Sequence, residues 1–212
     1  TLKQDNANEF EGTSQDSTIN QFWDTRGNSN GLELLVKKSS GKFNGWIGYT
    51  LSETKYFTEA SGWHNPNFDR THTVNIVGNY QLTADLELSA ALTQSSGNPY
   101  TKILGRVYDW EQSLYNNSYW YPIESYLVGE KNTERYDDYF RVDVGMTRKG
   151  GNLFGLEYDT YWQIMNLTRH VNILSYRYRT KTDPITGDQL GVQRQPIPMF
   201  PLIFTFGVKF EF

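Results

Sequence analysis

The chain has 212 residues, 37% of them hydrophobic and 16% aromatic, with no Cys and a formal net charge of −4. That length suits one sizeable all-β domain, and the lack of thiols excludes a disulfide framework or a thiolate metal site. The acidic balance without a basic cluster argues against nucleic acid as a partner, and no apolar run reaches the roughly 18 residues of a membrane-crossing helix.

In chain order, residues 1–10 are polar, so no signal peptide is read there and an exported protein would be a mature chain or a fragment. The same residues are read as the frayed remainder of a strand. Alternating segments follow at 31–38, 43–57, 71–82, 86–94, 139–148, 153–179 and 202–212; period two means strand. Within 71–82, His72, Val74, Ile76, Gly78, Tyr80 and Leu82 share a face opposite Thr73, Asn75, Asn79 and Gln81. Phe140, Val142, Val144 and Met146 likewise oppose Arg141, Asp143 and Thr147. In 153–179 the phase changes near Asn166 and Leu167, which is read as a β-bulge within one long strand. With the frayed first strand, the expected total is eight.

The connections alternate between tight and long. Ser39-Ser40-Gly41-Lys42, Thr83-Ala84-Asp85 and Lys149-Gly150-Gly151-Asn152 are read as hairpin turns. Long polar loops are read at about 11–30, 58–70, 99–138 and 180–201. Short turns at one end and long loops at the other are the pattern of an outer-membrane β-barrel with extracellular loops. The last segment carries the same message: Leu202, Phe204, Phe206, Val208, Phe210 and Phe212 fall on one face, and Thr205, Gly207, Lys209 and Glu211 on the other. About ten residues with one apolar face fit a tilted strand crossing a bilayer, with the apolar face toward lipid. Tyr56, Phe57 and Trp63 at one end, with Phe43, Phe210 and Phe212 at the other, fit two aromatic girdles.

Several pieces, in order, resemble the C-terminal barrel segment of TonB-dependent receptors. They are Arg26-Gly27-Asn28-Ser29-Asn30-Gly31-Leu32-Glu33-Leu34, Gly45-Trp46-Ile47-Gly48-Tyr49-Thr50-Leu51-Ser52, Asn67-Phe68-Asp69-Arg70-Thr71-His72 and Ser96-Gly97-Asn98-Pro99-Tyr100-Thr101. Trp162-Gln163-Ile164-Met165-Asn166-Leu167-Thr168-Arg169 and the terminal Phe212 complete the series. The resemblance implies roughly the last eight antiparallel transmembrane strands of a barrel of about 22, the class whose lumen a plug fills. No plug domain is read within the chain, so the remaining strands would come from another chain, from another part of the same polypeptide, or from closure of these eight on themselves. The implied role is a transporter in the outer membrane of a Gram-negative bacterium, taking up a siderophore, metal chelate, vitamin, oligosaccharide or peptide. Its partners would be membrane lipid, the plug, the TonB energy-transducing complex acting through that plug, and a surface lipoprotein lid. The alternative is a self-contained eight-stranded barrel serving as anchor or adhesin. A soluble ligand-binding barrel or an outer-membrane hydrolase is a third reading.

No enzyme, cofactor or metal site is expected. His64, His72 and His170 are too scattered for a metal cluster, and are read as an exposed loop His, a strand-start His and a polar residue beside the bulge. No nucleophile-elbow motif supports a hydrolase, and Asp137, Asp138 and Asp183 are read as solvated loop acids. The binding candidate is the 99–138 loop. Its Tyr108, Trp110, Tyr115, Tyr119, Trp120, Tyr121 and Tyr126 stand among Arg106, Lys131 and Arg135, suiting ligand capture by stacking and by Arg contacts to anions. The selected site residues are Arg106, Tyr108, Trp110, Tyr119, Trp120 and Tyr121. The alternative for these aromatics is packing between loops, and the 180–201 loop, poorer in aromatics, is expected to matter less.

Overall fold

A computed structural model of the protein describes residues 25–112, 120–187 and 189–211. Residues 1–24, Tyr115, Tyr119 and the terminal Phe212 lie outside the described residues, and with them the expected first strand, most of the 11–30 loop and one selected site residue.

The described chain is all-β and its strand pairs are antiparallel. The strands are β1 (Arg26–Lys38), β2 (Phe43–Thr58), β3 (Gly62–His64), β4 (His72–Gln81), β5 (Leu86–Ser95), β6 (Pro99–Tyr100) and β7 (Ile103–Gln112). They continue as β8 (Trp120–Val128), β9 (Glu134–Arg135), β10 (Tyr139–Leu153), β11 (Leu156–Met165), β12 (Ile173–Thr182), β13 (Gln189–Pro198) and β14 (Ile203–Glu211). Seven long strands form one wall in the order β1-β2-β4-β5-β10-β11-β14, with β3 folded back onto β2. The pairs β6–β9, β7–β8 and β12–β13 stand apart as small sheets. Among the described residues β1 and β14 do not pair, so the wall is open.

The register carries the alternation across the whole wall. One row joins Val36, Ile47, Ile76, Leu92 and Val142; the next joins Gly45, Gly78, Ala90, Val144, Ile164 and Phe204. A third joins Phe43, Tyr80, Leu88, Met146, Trp162 and Phe206. The other face carries Asn44, Asn79, Ser89, Gly145, Gln163 and Thr205 in one row, and Asn75, Thr93 and Arg141 in another. Accessibility is inverted relative to a water-soluble sheet. In β14, Phe204 is 63% and Phe206 55% exposed, whereas Thr205 and Gly207 are half-buried. Phe43, Ile47 and Leu51 of β2 are exposed while Asn44, Thr50, Ser52 and Thr54 are half-buried. A sheet that curls toward its polar face produces this pattern. Among the described residues Tyr100 is the one buried hydrophobic side chain, so the wall encloses no apolar core.

Three expectations are corrected. The turn read at 149–152 is a bulge inside β10, where the register slips between Arg148 and Gly151 and Gly150 takes φ 80°. Next to it Gly151 lies under the Tyr158 ring, which would have to shift to admit a Cβ there. The reversal itself falls at Phe154 and Gly155, both with positive φ. Second, 153–179 is not one strand. The phase change at Asn166 marks a turn, with Asn166 and Arg169 in the left-handed region. The Asn166 amide donates to Asp143 Oδ1 at 3.0 Å, and Asn172 exchanges two 2.9 Å bonds with the Phe140 backbone. These bonds hold the turn against β10. Third, the loop read at 99–138 contains the hairpin β7–β8, while β12, read as the end of the 153–179 strand, pairs with β13 of the 180–201 loop; both hairpins sit at the end of the wall opposite its short turns.

Candidate functional site

The long-loop end of the wall is built in three layers. Closest to the strands is a polar lock around Asp69. This carboxylate has a side chain only 1% exposed, and it meets the Arg135 guanidinium at 2.6 Å. It also accepts the Thr54 amide at 2.8 Å and the Asn65 side-chain amide at 3.2 Å. Arg135 donates in addition to the carbonyls of Asp69 and Gly97. Arg70 donates to Asn98 Oδ1 and Ser95 Oγ, and lies over the Tyr139 ring. Apart from the Asn65–Asp69 bond, the contacts of the lock join segments distant in sequence, and Arg135, counted in the sequence among ligand-contacting cations, is a fastener.

Above the lock sits a tyrosine knot. Tyr100 from β6, Tyr136 after β9 and Tyr176 from β12 have ring centroids 4.6 to 5.3 Å apart. Arg194 from β13 stacks on Tyr176 at 4.1 Å and donates to the Tyr100 hydroxyl. Burial raises the phenol pKa of Tyr100, Tyr136 and Tyr176 above the ordinary value. The Tyr178 hydroxyl is buried beside them with no hydrogen-bond partner among the described residues. The 180–201 segment, expected to matter less, thus supplies the cation of the knot. Sequence reading missed this group because Tyr176 and Tyr178 were assigned to a wall strand. Their i, i+2 spacing was the available signal.

The outermost layer is the β7–β8 hairpin. Its register pairs Arg106 with Tyr126, Tyr108 with Glu124, Trp110 with Pro122 and Gln112 with Trp120. Arg106, Tyr108, Trp110, Trp120 and Tyr126 therefore share one face, and Tyr121, opposite Glu111, falls on the other. At the base of that face Arg106 stacks on Tyr126 at 5.3 Å and donates to the Tyr178 carbonyl at 3.2 Å, tying this hairpin to β12. Farther out, Tyr108, Trp110 and Trp120 are exposed. Four of the selected site residues are thus brought onto one face, Tyr121 is not, and Tyr119 lies outside the described residues. Adjacent exposed rings on a strand offer flat apolar surface with polar edges, suited to stacking on sugar rings or peptide planes.

His64, His72, His170, Asp138 and Asp183 have structural partners. His64 is buried rather than exposed, with Nδ1 3.0 Å from the Gly62 carbonyl. His72 begins β4 and bonds Tyr49 at 2.9 Å, and His170 lies in the Asn166 turn beside Asn172. Asp138 accepts the Gly97 amide, while Asp183 accepts the Ile185 and Thr186 amides in a tight turn. Among the described residues no three His, Asp or Glu side chains gather in metal-binding geometry. Comparison with known protein families, with characterised proteins and with solved structures finds no match to this chain.

Proposed function

We propose that the chain forms part of the wall of a TonB-dependent outer-membrane receptor, with the short turns periplasmic and the hairpin layer facing the medium. The observation that carries this reading is the inverted wall. With strand spacing near 4.8 Å and rise near 3.4 Å, the apolar face covers on the order of 800 Å², beyond the few hundred Å² that soluble monomers expose contiguously. That band is bounded. On β2 it runs from Phe43 to Leu51, about 27 Å along the strand, and gives way to Lys42 at one end and the Glu53–Lys55 ion pair at the other. A tilted membrane strand requires this length. Rings gather at both limits, with Phe57 against Trp63 on the long-loop side and Tyr158 against Phe210 on the short-turn side.

The open wall supports a large barrel over a self-contained one. Unpaired edges in lipid cost several kcal/mol per backbone group, so further strands complete the wall in the membrane. The layered hairpins then form a capture surface, and its chemistry leans toward neutral ligands. The guanidinium groups of Arg106, Arg135 and Arg194 are engaged in holding loops together, which leaves Tyr108, Trp110 and Trp120 as the exposed face. An oligosaccharide or peptide fits that face better than an anionic chelate does.

The test is uptake. The product of the whole gene, expressed in cells, is expected to import a labelled oligosaccharide or peptide, and a protonophore is expected to abolish that import. Import that survives the protonophore would contradict energy coupling. If this chain alone refolds in detergent to a closed, heat-modifiable monomer, the anchor reading replaces the receptor.

A further inference from the structure

We infer that the outward face of the wall holds an anionic phospholipid at its short-turn end, with an acyl chain in a trough beside an aromatic row and the phosphate against a basic rim. This rests on the membrane reading above.

The trough has a volume of about 600 Å³ and crosses the wall from β2 to β14. Its floor is the row of Gly78, Ala90, Val144 and Ile164, ended at β14 by Phe204, and Phe43, Tyr80 and Trp162 of the next row stand along one side. The Phe43 ring leans over Gly78, where an added Cβ would come within 3.2 Å of it. The groove forms where Gly78 and Ala90 carry little or no side chain while the rings of Phe43 and Tyr80 stand in the next row. Left empty in a bilayer, it would forfeit dispersion contacts that a flexible chain supplies. The strands of such a wall tilt by roughly 35–45°, so a trough crossing them runs obliquely away from the rim, as an acyl chain does from its headgroup.

The rim supplies the headgroup chemistry. Lys38 Nζ lies 5.9 Å from the Phe43 ring centroid, at the mouth of the trough. Lys42 directly precedes Phe43, and its carbonyl accepts the Gln81 amide at 2.7 Å beside Tyr80. Arg148 stands two residues beyond Met146 on the same outward face, paired in register with Leu86. Lys149 follows it, its amide donating to the Asp85 carbonyl at 2.7 Å. The one carboxylate of the β4–β5 turn, Asp85, accepts from Thr83 at 2.7 Å and lies 4.0 Å from Arg148 Nε. Lys38, Lys42 and Arg148 therefore stand with Asp85 at this end of the wall, Arg148 about 7 Å along its strand from Met146 and about 14 Å from Val144 of the floor. A zwitterionic lipid would satisfy the trough but not the rim; free phosphate would satisfy the rim but not the trough.

The experiment uses the full-length gene product reconstituted in nanodiscs of equimolar phosphatidylglycerol and phosphatidylcholine, with native mass spectrometry counting lipids retained on release. Phosphatidylglycerol is expected to be retained preferentially. Replacing Lys38, Lys42 and Arg148 together by Gln should reduce that retention by at least about tenfold, and Ala90→Phe, which fills the floor, should reduce retention of both lipids. Heat-modifiable migration and protease protection in the same nanodiscs report insertion separately. Inserted wild-type protein that retains both lipids equally would overturn the site and leave the membrane reading standing, without recourse to any variant. Unchanged retention by inserted variants would also overturn it. Protein that never enters the bilayer would remove both.

Discussion

Arg135 carries the sharpest single-residue consequence. Replacing it by Leu leaves the Asp69 carboxylate buried without its cation, and breaking a buried pair in this way costs about 3–5 kcal/mol. The Arg135 side chain is 34% exposed, which places the expected loss at the low end, about 3 kcal/mol. The wall should persist while segments 58–70 and 96–138 become sensitive to protease; loops as resistant as in the native protein would refute the lock. A second consequence follows from the knot. Tyr100, Tyr136 and Tyr176 have phenol pKa values raised by burial, so the folded form holds their protons more tightly than the unfolded chain. The knot therefore contributes its full stability below pH of about 10 and loses it as pH climbs through the raised values. A spectrophotometric titration should show phenols ionising late, and Tyr100→Phe with Tyr136→Phe should remove part of that late fraction. An unchanged curve would mean the rings are open to water. Neither lock nor knot was legible in the sequence. Their members come from segments tens of residues apart, and only the fold brings Asp69 to Arg135 or Tyr100 to Arg194.

Among the elements, the wall strands were legible and the hairpins above them were not. The wall strands bury nothing apolar, yet each must present the same chemistry on one face across seven neighbours, and that imposes strict period two. β7, β8 and β13 have no such uniform surroundings, and Pro122, Pro196 and Pro198 interrupt the pattern of β8 and β13, so these read as loops, whereas β12 keeps its alternation and reads as more of the wall. The Gly150-Gly151 pair misled for a different reason: two glycines signal a reversal, whereas here they admit a bulge and the Tyr158 ring. The site was half legible, since composition located the aromatic segment while pairing decides which rings share a face. That pairing makes a specific prediction. Alanine at Tyr108, Trp110 and Trp120 should weaken binding of an oligosaccharide or peptide by more than about 1 kcal/mol each, while Tyr121→Ala, on the opposite face, should change it little. Calorimetric titration of the purified complete protein checks both, and equal losses at Tyr121 and Trp110 would dissolve the assignment of a binding face.

At the scale of the whole molecule, the decisive property is that the wall is polar on its half-buried side and apolar on its exposed side. In water that arrangement would leave an extended apolar surface unsatisfied; in a bilayer it is the arrangement that costs least. The sequence disclosed it through seven in-phase segments, but not whether the wall closes, because closure depends on what meets the outer edges of β1 and β14. The account stands or falls on which face of β14 meets lipid, and neighbouring residues of one strand isolate that question from every other. The measurement is the unfolding free energy of the complete protein in phospholipid vesicles, taken by urea titration for Phe206→Arg and Thr205→Arg. Phe206→Arg should destabilise by about 2–4 kcal/mol near the bilayer midplane, and Thr205→Arg by much less, since its side chain points to the polar side. Equal costs at the two positions, or a larger cost at Thr205, would contradict the membrane wall.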